Sequence, residues 1–323
     1  MSAATGELPR ATPRPRASRP RRAWCTGLLA GVLATAFAAT AIAQPAAPAA
    51  ATNRAEYPLT LARGSRILVA ARIDGHPVTA LLDSAAEATM IDRAFARRLG
   101  LGRGAAATGH GSGEAAFDAD LVPGVSLEAV GLALANQTVA VVDLTDVGRR
   151  LLGRRIDVIL GREIFDAARL TIDLGRRRIA VAPAGVTPPG VRLELVAEHG
   201  VETVPVRIED GETVRATFDL GNGSHVLIGR AYAERAGLLT DGRPVASERG
   251  GGLGGEVARQ TFVLRSLELA GRRFESVRAA IDAQDTASAV NLGVSLLRHF
   301  VITTDFAGRA VWLQPQPAGD HLR

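Results

Sequence analysis

The sequence predicts an all-β protein built as two tandem lobes related by a pseudo-two-fold axis. Three observations predict it. The chain repeats itself. The segments between the repeated landmarks are short alternating strands joined by Gly turns. Helix-forming patterns are few and short.

The repeat is found by laying the chain against itself. Arg72-Ile73-Asp74-Gly75 is followed by the strand-like Val78-Thr79-Ala80-Leu81-Leu82, which ends at Asp83. Glu209-Asp210-Gly211 is followed by Val214-Arg215-Ala216-Thr217-Phe218, which ends at Asp219. In both copies the Asp is the eighth residue after the Gly. Both read as strand, Asp-Gly hairpin turn, strand. Beyond each Asp comes a short helical pattern closed by Gly, over 90–101 and 227–238, and the second copy holds one extra residue in its Asp loop. Ile159-Leu160-Gly161 then precedes Asp173 by twelve residues from its Gly, and Asn291-Leu292-Gly293 precedes Asp305 by the same count. A charged turn and a strand end each copy, at Arg178–Val181 and Ala310–Leu313. Asp173 and Asp305 each precede a turn and read as structural.

These landmarks place lobe one at 55–185 and lobe two at 190–315. The Pro183–Pro189 stretch carries the linker, 186–189. Residues 316–323 form a tail. Residues 1–43 have the three parts of an export signal. Arg21-Arg22 closes a basic segment, Ala23–Thr40 is apolar, and Ala41-Ile42-Ala43 is a small-x-small cleavage site. An uncleaved membrane anchor is the alternative, because the apolar run approaches the roughly 20 residues that span a bilayer. Residues 44–54 read as an Ala/Pro-rich spacer. The expected location is therefore outside the cytoplasm, in a bacterial periplasm or secreted, without stable membrane insertion after cleavage.

Charge and cysteine content narrow the chemistry. The formal net charge is +5. Six Arg and one Glu within 1–43 account for that whole surplus, which leaves a nearly neutral body. The basic balance is thus no sign of nucleic-acid binding. Cys25, inside the leader, is the single cysteine. The body has no disulfide, no thiolate nucleophile and no cysteine metal site. The six His are scattered without ligand spacing, so neither a metal nor another cofactor is expected.

An Asp at the end of an apolar strand, followed by small residues, is an unusual place for a charge. Small residues let the backbone turn tightly and aim N–H groups at the carboxylate. If the repeats pack about a two-fold axis, Asp83 and Asp219 meet there. Two carboxyls in contact share a proton; the ionised one activates water and the protonated one hydrogen-bonds a carbonyl.

Here the sequence resembles the pepsin and retropepsin-like aspartic proteases. Leu81-Leu82-Asp83-Ser84-Ala85 is similar to their Asp-Thr/Ser-Gly/Ala signature. Ile159-Leu160-Gly161 is similar to the apolar-apolar-Gly element behind that loop, and both elements recur in lobe two. The resemblance covers most of 65–315. It implies two β-barrel lobes, Asp83 and Asp219 as the catalytic pair, and a peptide or protein substrate in the cleft between lobes. It implies supporting roles for Ser84, Ala85, Gly221, Gly161 and Gly293. It also implies a glycine-bearing flap, with candidates at Gly111, Ser112 and Gly113 in lobe one and Gly252, Leu253 and Gly254 in lobe two.

One departure stands out. Leu220 occupies the position of a family Thr or Ser whose hydroxyl bonds across the loops. It motivates an alternative in which the fold binds peptides or a protein partner without cutting them. With both lobes in one chain a monomer is expected; pairing of lobe one with its copy in a second chain, a homodimer, is the other assembly.

Overall fold

The computed structural model describes residues 55–282 and 288–316, and they are mostly β. The leader, the whole spacer and all of the tail except residue 316 lie outside the described residues. In lobe one, Ile67–Ile73 and His76–Leu82 form a hairpin whose two turn residues, Asp74 and Gly75, have φ of 46° and 77°. That left-handed pair is the twist-matched two-residue turn expected of Asp-Gly. The strand leading to Asp83 pairs in parallel with Val158–Leu160, Leu82 opposite Leu160. Val158–Leu160 in turn pairs antiparallel with Met90–Asp92. The long hairpin Phe117–Ala129 and Leu132–Val142 follows, with Ala105–Gly109 on its edge. Ile73 also pairs with Leu127, which curls the sheet back on itself.

Lobe two repeats this order with Val201–Ile208, Thr213–Phe218, Val290–Leu292, Val226–Gly229, Arg272–Asp282, Val257–Leu269 and Ala246–Gly250. Its closure is Ile208 against Leu267.

Two local differences separate the copies. Asp210-Gly211 does not form a two-residue turn. Four residues, 209–212, separate the strand ends Ile208 and Thr213, and the left-handed residue is Glu209, φ 53°. The Glu209 carboxylate is buried and held by the Arg243 guanidinium at 3.0 Å and the Arg265 N–H at 2.9 Å, so the loop is anchored inward. The two helices differ at their starts. Arg93–Leu99 is capped by Asp92, which accepts from the N–H of Ala94 and Phe95, and it ends on left-handed Gly100. Arg230–Arg235 begins at Gly229 without a side-chain cap.

A shared sheet joins the lobes. Leu170–Asp173 pairs antiparallel with Phe300–Asp305, and Thr171 lies opposite Thr303 with the hydroxyl oxygens 3.2 Å apart. Thr171 and Thr303 are equivalent in the repeat, each two residues before its Asp. Equivalent residues facing each other across an antiparallel pair are what a local two-fold axis produces. Arg178–Val181, Glu56–Leu61, Ala310–Pro315 and Val191–Glu194 complete this sheet. The segment between Val181 and Val191, containing the expected linker, holds no helix or strand. Asp173 and Asp305 accept from the N–H of Arg176 and Gly308, so each closes its own turn. The main core runs through both lobes and is built from Leu, Ile, Val and a few Phe, including the stacked pair Phe165 and Phe306 at 5.1 Å.

Candidate active site

Each candidate Asp ends a strand that is extended one residue by the apolar-Gly element beside it. Asp83 N–H donates to Leu160 O, and Asp219 N–H donates to Leu292 O, both at 3.0 Å. The chain then turns back over the carboxylate. Asp83 Oδ1 accepts from Ala85 N at 2.9 Å. Asp219 Oδ1 accepts from both Gly221 N and Asn222 N at 2.9 Å. Short Asp side chains capture backbone N–H groups two or three residues on in this way. Gly161 and Gly293 are glycine because the Asp loops lie on them. A Cβ at Gly161 would sit 2.6 Å from the Ala88 carbonyl carbon, and one at Gly293 would sit 2.3 Å from Asn222 O.

The two loops meet. Ser84 Oγ donates to Phe218 O at 2.7 Å and accepts from Leu220 N at 2.9 Å, a bridge from lobe one to both neighbours of Asp219. Ser84 is 3% exposed, so the bridge is sealed from water. Leu220 is fully buried in the core and offers no hydroxyl in return, so the bridge is one-sided. The Asp83 carboxylate lies directly on Gly221; a Cβ there would be 2.2 Å from Oδ2. Gly221 is therefore required by the neighbouring lobe's carboxylate.

Burial raises the pKa of both aspartates above the usual carboxylate range. Asp83 reaches about 7: burial is the larger cause and the Asp219 charge the next, with the Ala85 and Ala86 N–H groups and Arg66 opposing. The rise at Asp219 is opposed by hydrogen bonds from Asn291, Asn222 and Gly221 and by Arg66. The Asp219 carboxylate accepts from Gly221 N, Asn222 N and Asn291 Nδ2, more donors than reach Asp83, so the hydrogen-bond geometry favours the anion at Asp219. Both aspartates are half-buried as residues, between fully enclosed and exposed.

The family model described as aspartyl protease matches residues 69–164 and 204–296, more than half of the chain and one segment per lobe. The chain belongs to the aspartyl protease family. No curated protein matches the sequence. Each of the two matched segments contains one of the candidate aspartates, Asp83 or Asp219, together with its apolar-Gly partner.

The glycine-rich loops of this family member also meet. Gly113 N donates to Leu253 O and Ala115 N to Gly254 O, both at 2.8 Å. Two arginines cross in opposite directions to tie them. Arg150 Nη2 of lobe one donates to Gly252 O, and Arg259 Nη2 of lobe two donates to Ser112 O, each at 2.8 Å. The closeness explains the glycines: a Cβ at Gly111 would sit 2.5 Å from Leu253 O, and one at Gly254 would sit 1.9 Å from Ala115 O. Leu253 packs on an apolar cluster of lobe one that includes Leu68, Leu81 and Ile159.

Sequence reasoning missed Arg66. This buried guanidinium sends Nε to Gly221 O at 3.2 Å and Nη1 to Arg63 O at 3.0 Å, which places lobe-one positive charge beneath the lobe-two Asp loop. An Arg just before an apolar strand gives no linear signal of such a crossing. Among the described residues, no group of three or more His, Cys, Asp or Glu side chains is placed to hold a metal ion.

Proposed function

We propose that this chain is an aspartic endopeptidase that cleaves peptide bonds between its lobes. The observation that carries the reading is the Asp83 carboxylate resting on Gly221, in the loop whose N–H groups hold Asp219. Asp219, ionised, takes a proton from a water as its oxygen attacks the scissile carbonyl carbon. Asp83, protonated, donates a hydrogen bond to the carbonyl oxygen, where negative charge develops. The tetrahedral intermediate collapses when the C–N bond breaks and the amine leaves with the proton taken up at Asp219. Asp83 regains its starting state as the carbonyl reforms, and the shared proton count is restored.

The substrate is a peptide or protein segment, and the loops around Gly111–Gly113 and Gly252–Gly254 serve as flaps that part to admit it. Both aspartates lie in one chain, so a monomer suffices for this chemistry. The leader over 1–43 supports action outside the cytoplasm.

Incubating the protein with a peptide library at pH 5 tests the proposal. Wild type cleaves and is blocked by a hydroxyl-bearing transition-state mimic. Asp83→Asn, folded by circular dichroism, loses activity by about 10²–10⁴-fold, the usual worth of a positioned proton donor. Full activity in that variant removes Asp83 from the mechanism. The one-sided bridge at Leu220 favours a second reading, a peptide-binding protein without hydrolysis. It predicts that wild type binds library peptides and leaves them intact.

A further inference from the structure

Lobe two carries a polar row where lobe one is aliphatic. Leu68, Leu81 and Ile159 lie side by side across three paired strands. At the same registers lobe two places Thr203, Thr217 and Asn291. The sheet tolerates aliphatic side chains at these positions, so the amide at 291 is not a demand of the fold.

Asn291 Nδ2 donates to Asp219 Oδ2 at 2.8 Å. Its other amide atom, Oδ1, accepts from Asn222 Nδ2 at 2.8 Å. Asn222 Oδ1 in turn accepts from Ser224 N at 2.9 Å and Ser224 Oγ at 2.7 Å. This chain fixes every amide orientation. Ser224 N–H can only donate, so Asn222 must turn its oxygen toward it and its NH₂ toward Asn291. Asn291 must then present its oxygen to Asn222 and its NH₂ to Asp219. The extra residue of the second Asp loop lies within Asn222-Gly223-Ser224, so the insertion that breaks the repeat supplies the anchor of this chain.

We propose that Asn291 is a positioning residue that makes the aspartate pair unequal. It locks an N–H donor onto the second oxygen of Asp219, while Asn222 and Gly221 hold the first. Ile159, the equivalent residue beside Asp83, offers no donor. Asp219 is thereby the member that keeps the negative charge, and Asp83 keeps the proton. The charged groups facing Asp219 are Asp83 across the lobe boundary and Arg66 beneath the loop, with Arg63 next to Arg66. Neither distinguishes the pair as Asn291 does, because Arg66 acts on both carboxyls. The inference rests on the reading of Asp219 as the ionised catalytic partner.

The test titrates the side-chain carboxyls of ¹³C-aspartate-labelled protein by NMR without substrate, and Asp219→Asn assigns the lower step. In Asn291→Ile, which installs the lobe-one residue, the lower step of the pair moves up by about one to two pH units, the worth of one hydrogen bond to a charge. Asn222→Ala, which releases the Asn291 amide, moves the same step upward by less. Circular dichroism confirms that each variant is folded, and either folded variant suffices. A lower step that stays in place overturns the inference. The titration needs no turnover, so a protein that cuts no peptide but shows the shift refutes the endopeptidase reading and leaves Asn291 in its role. An active enzyme with an unmoved step does the reverse.

Discussion

Asp83 carries its proton at a cost that depends on pH. Its folded pKa, about 7, stands above the value of 3.8 for a free aspartate. A raised folded pKa contributes stability below the unfolded value and loses it as pH climbs through the folded one. The native state thus gives up stability between about pH 4 and pH 7, by at most about 4 kcal/mol for a shift of this size. Asp83→Asn carries no such charge. It should melt at the wild-type temperature below pH 4 and above it at pH 8, by scanning calorimetry at matched ionic strength. Equal melting temperatures at both pH values would show that Asp83 ionises as freely in the fold as in the open chain. This residue was visible in the sequence because its signal is local: an Asp after two leucines, followed by small residues. Arg66 and Asn291 were not visible in their roles. Arg66 reaches Gly221, 155 positions away, and Asn291 reaches Asp219, 72 away, and no local pattern reports such crossings.

At the scale of elements, hairpins, Asp loops and glycine-backed turns were readable because turn chemistry is short-range. Asp74-Gly75 formed the expected turn, whereas Asp210-Gly211 yielded to the buried clamp on Glu209, a tertiary effect. The glycine-rich loops were readable as loops, but their contact with each other was not, since each supplies only half of the interface. That contact predicts a measurable dynamic. Arg150 and Arg259 each place a guanidinium on the opposite loop's backbone, and a hydrogen bond to a charged donor contributes about 1.5–3 kcal/mol. Hydrogen exchange at the Gly113 and Ala115 amides should speed up by about tenfold or more in Arg150→Ala and in Arg259→Ala. Exchange at Asp83 N–H, which is bonded within lobe one, should not change. If loop exchange matched wild type in both variants, the crossing arginines would not be what holds the loops together.

For the whole molecule, the repeat announced a two-fold arrangement, and the Thr171–Thr303 pairing in the shared sheet supplies it. The duplication makes the halves alike, and the site works through what makes them unlike. Ser84 bridges where Leu220 does not. Asn291 donates where Ile159 cannot. An intact sheet and one core running through both lobes hold these unlike halves in register. The endopeptidase reading depends on that register, because each carboxyl must feel the other's charge across the lobe boundary. The most direct test follows the titration of Asp83 by carboxyl ¹³C NMR in wild type and in Asp219→Asn. The account predicts a midpoint near 7 in wild type that falls clearly when the opposing charge is removed, yet stays above 3.8 because burial persists. A midpoint that is the same with and without the Asp219 charge would contradict it.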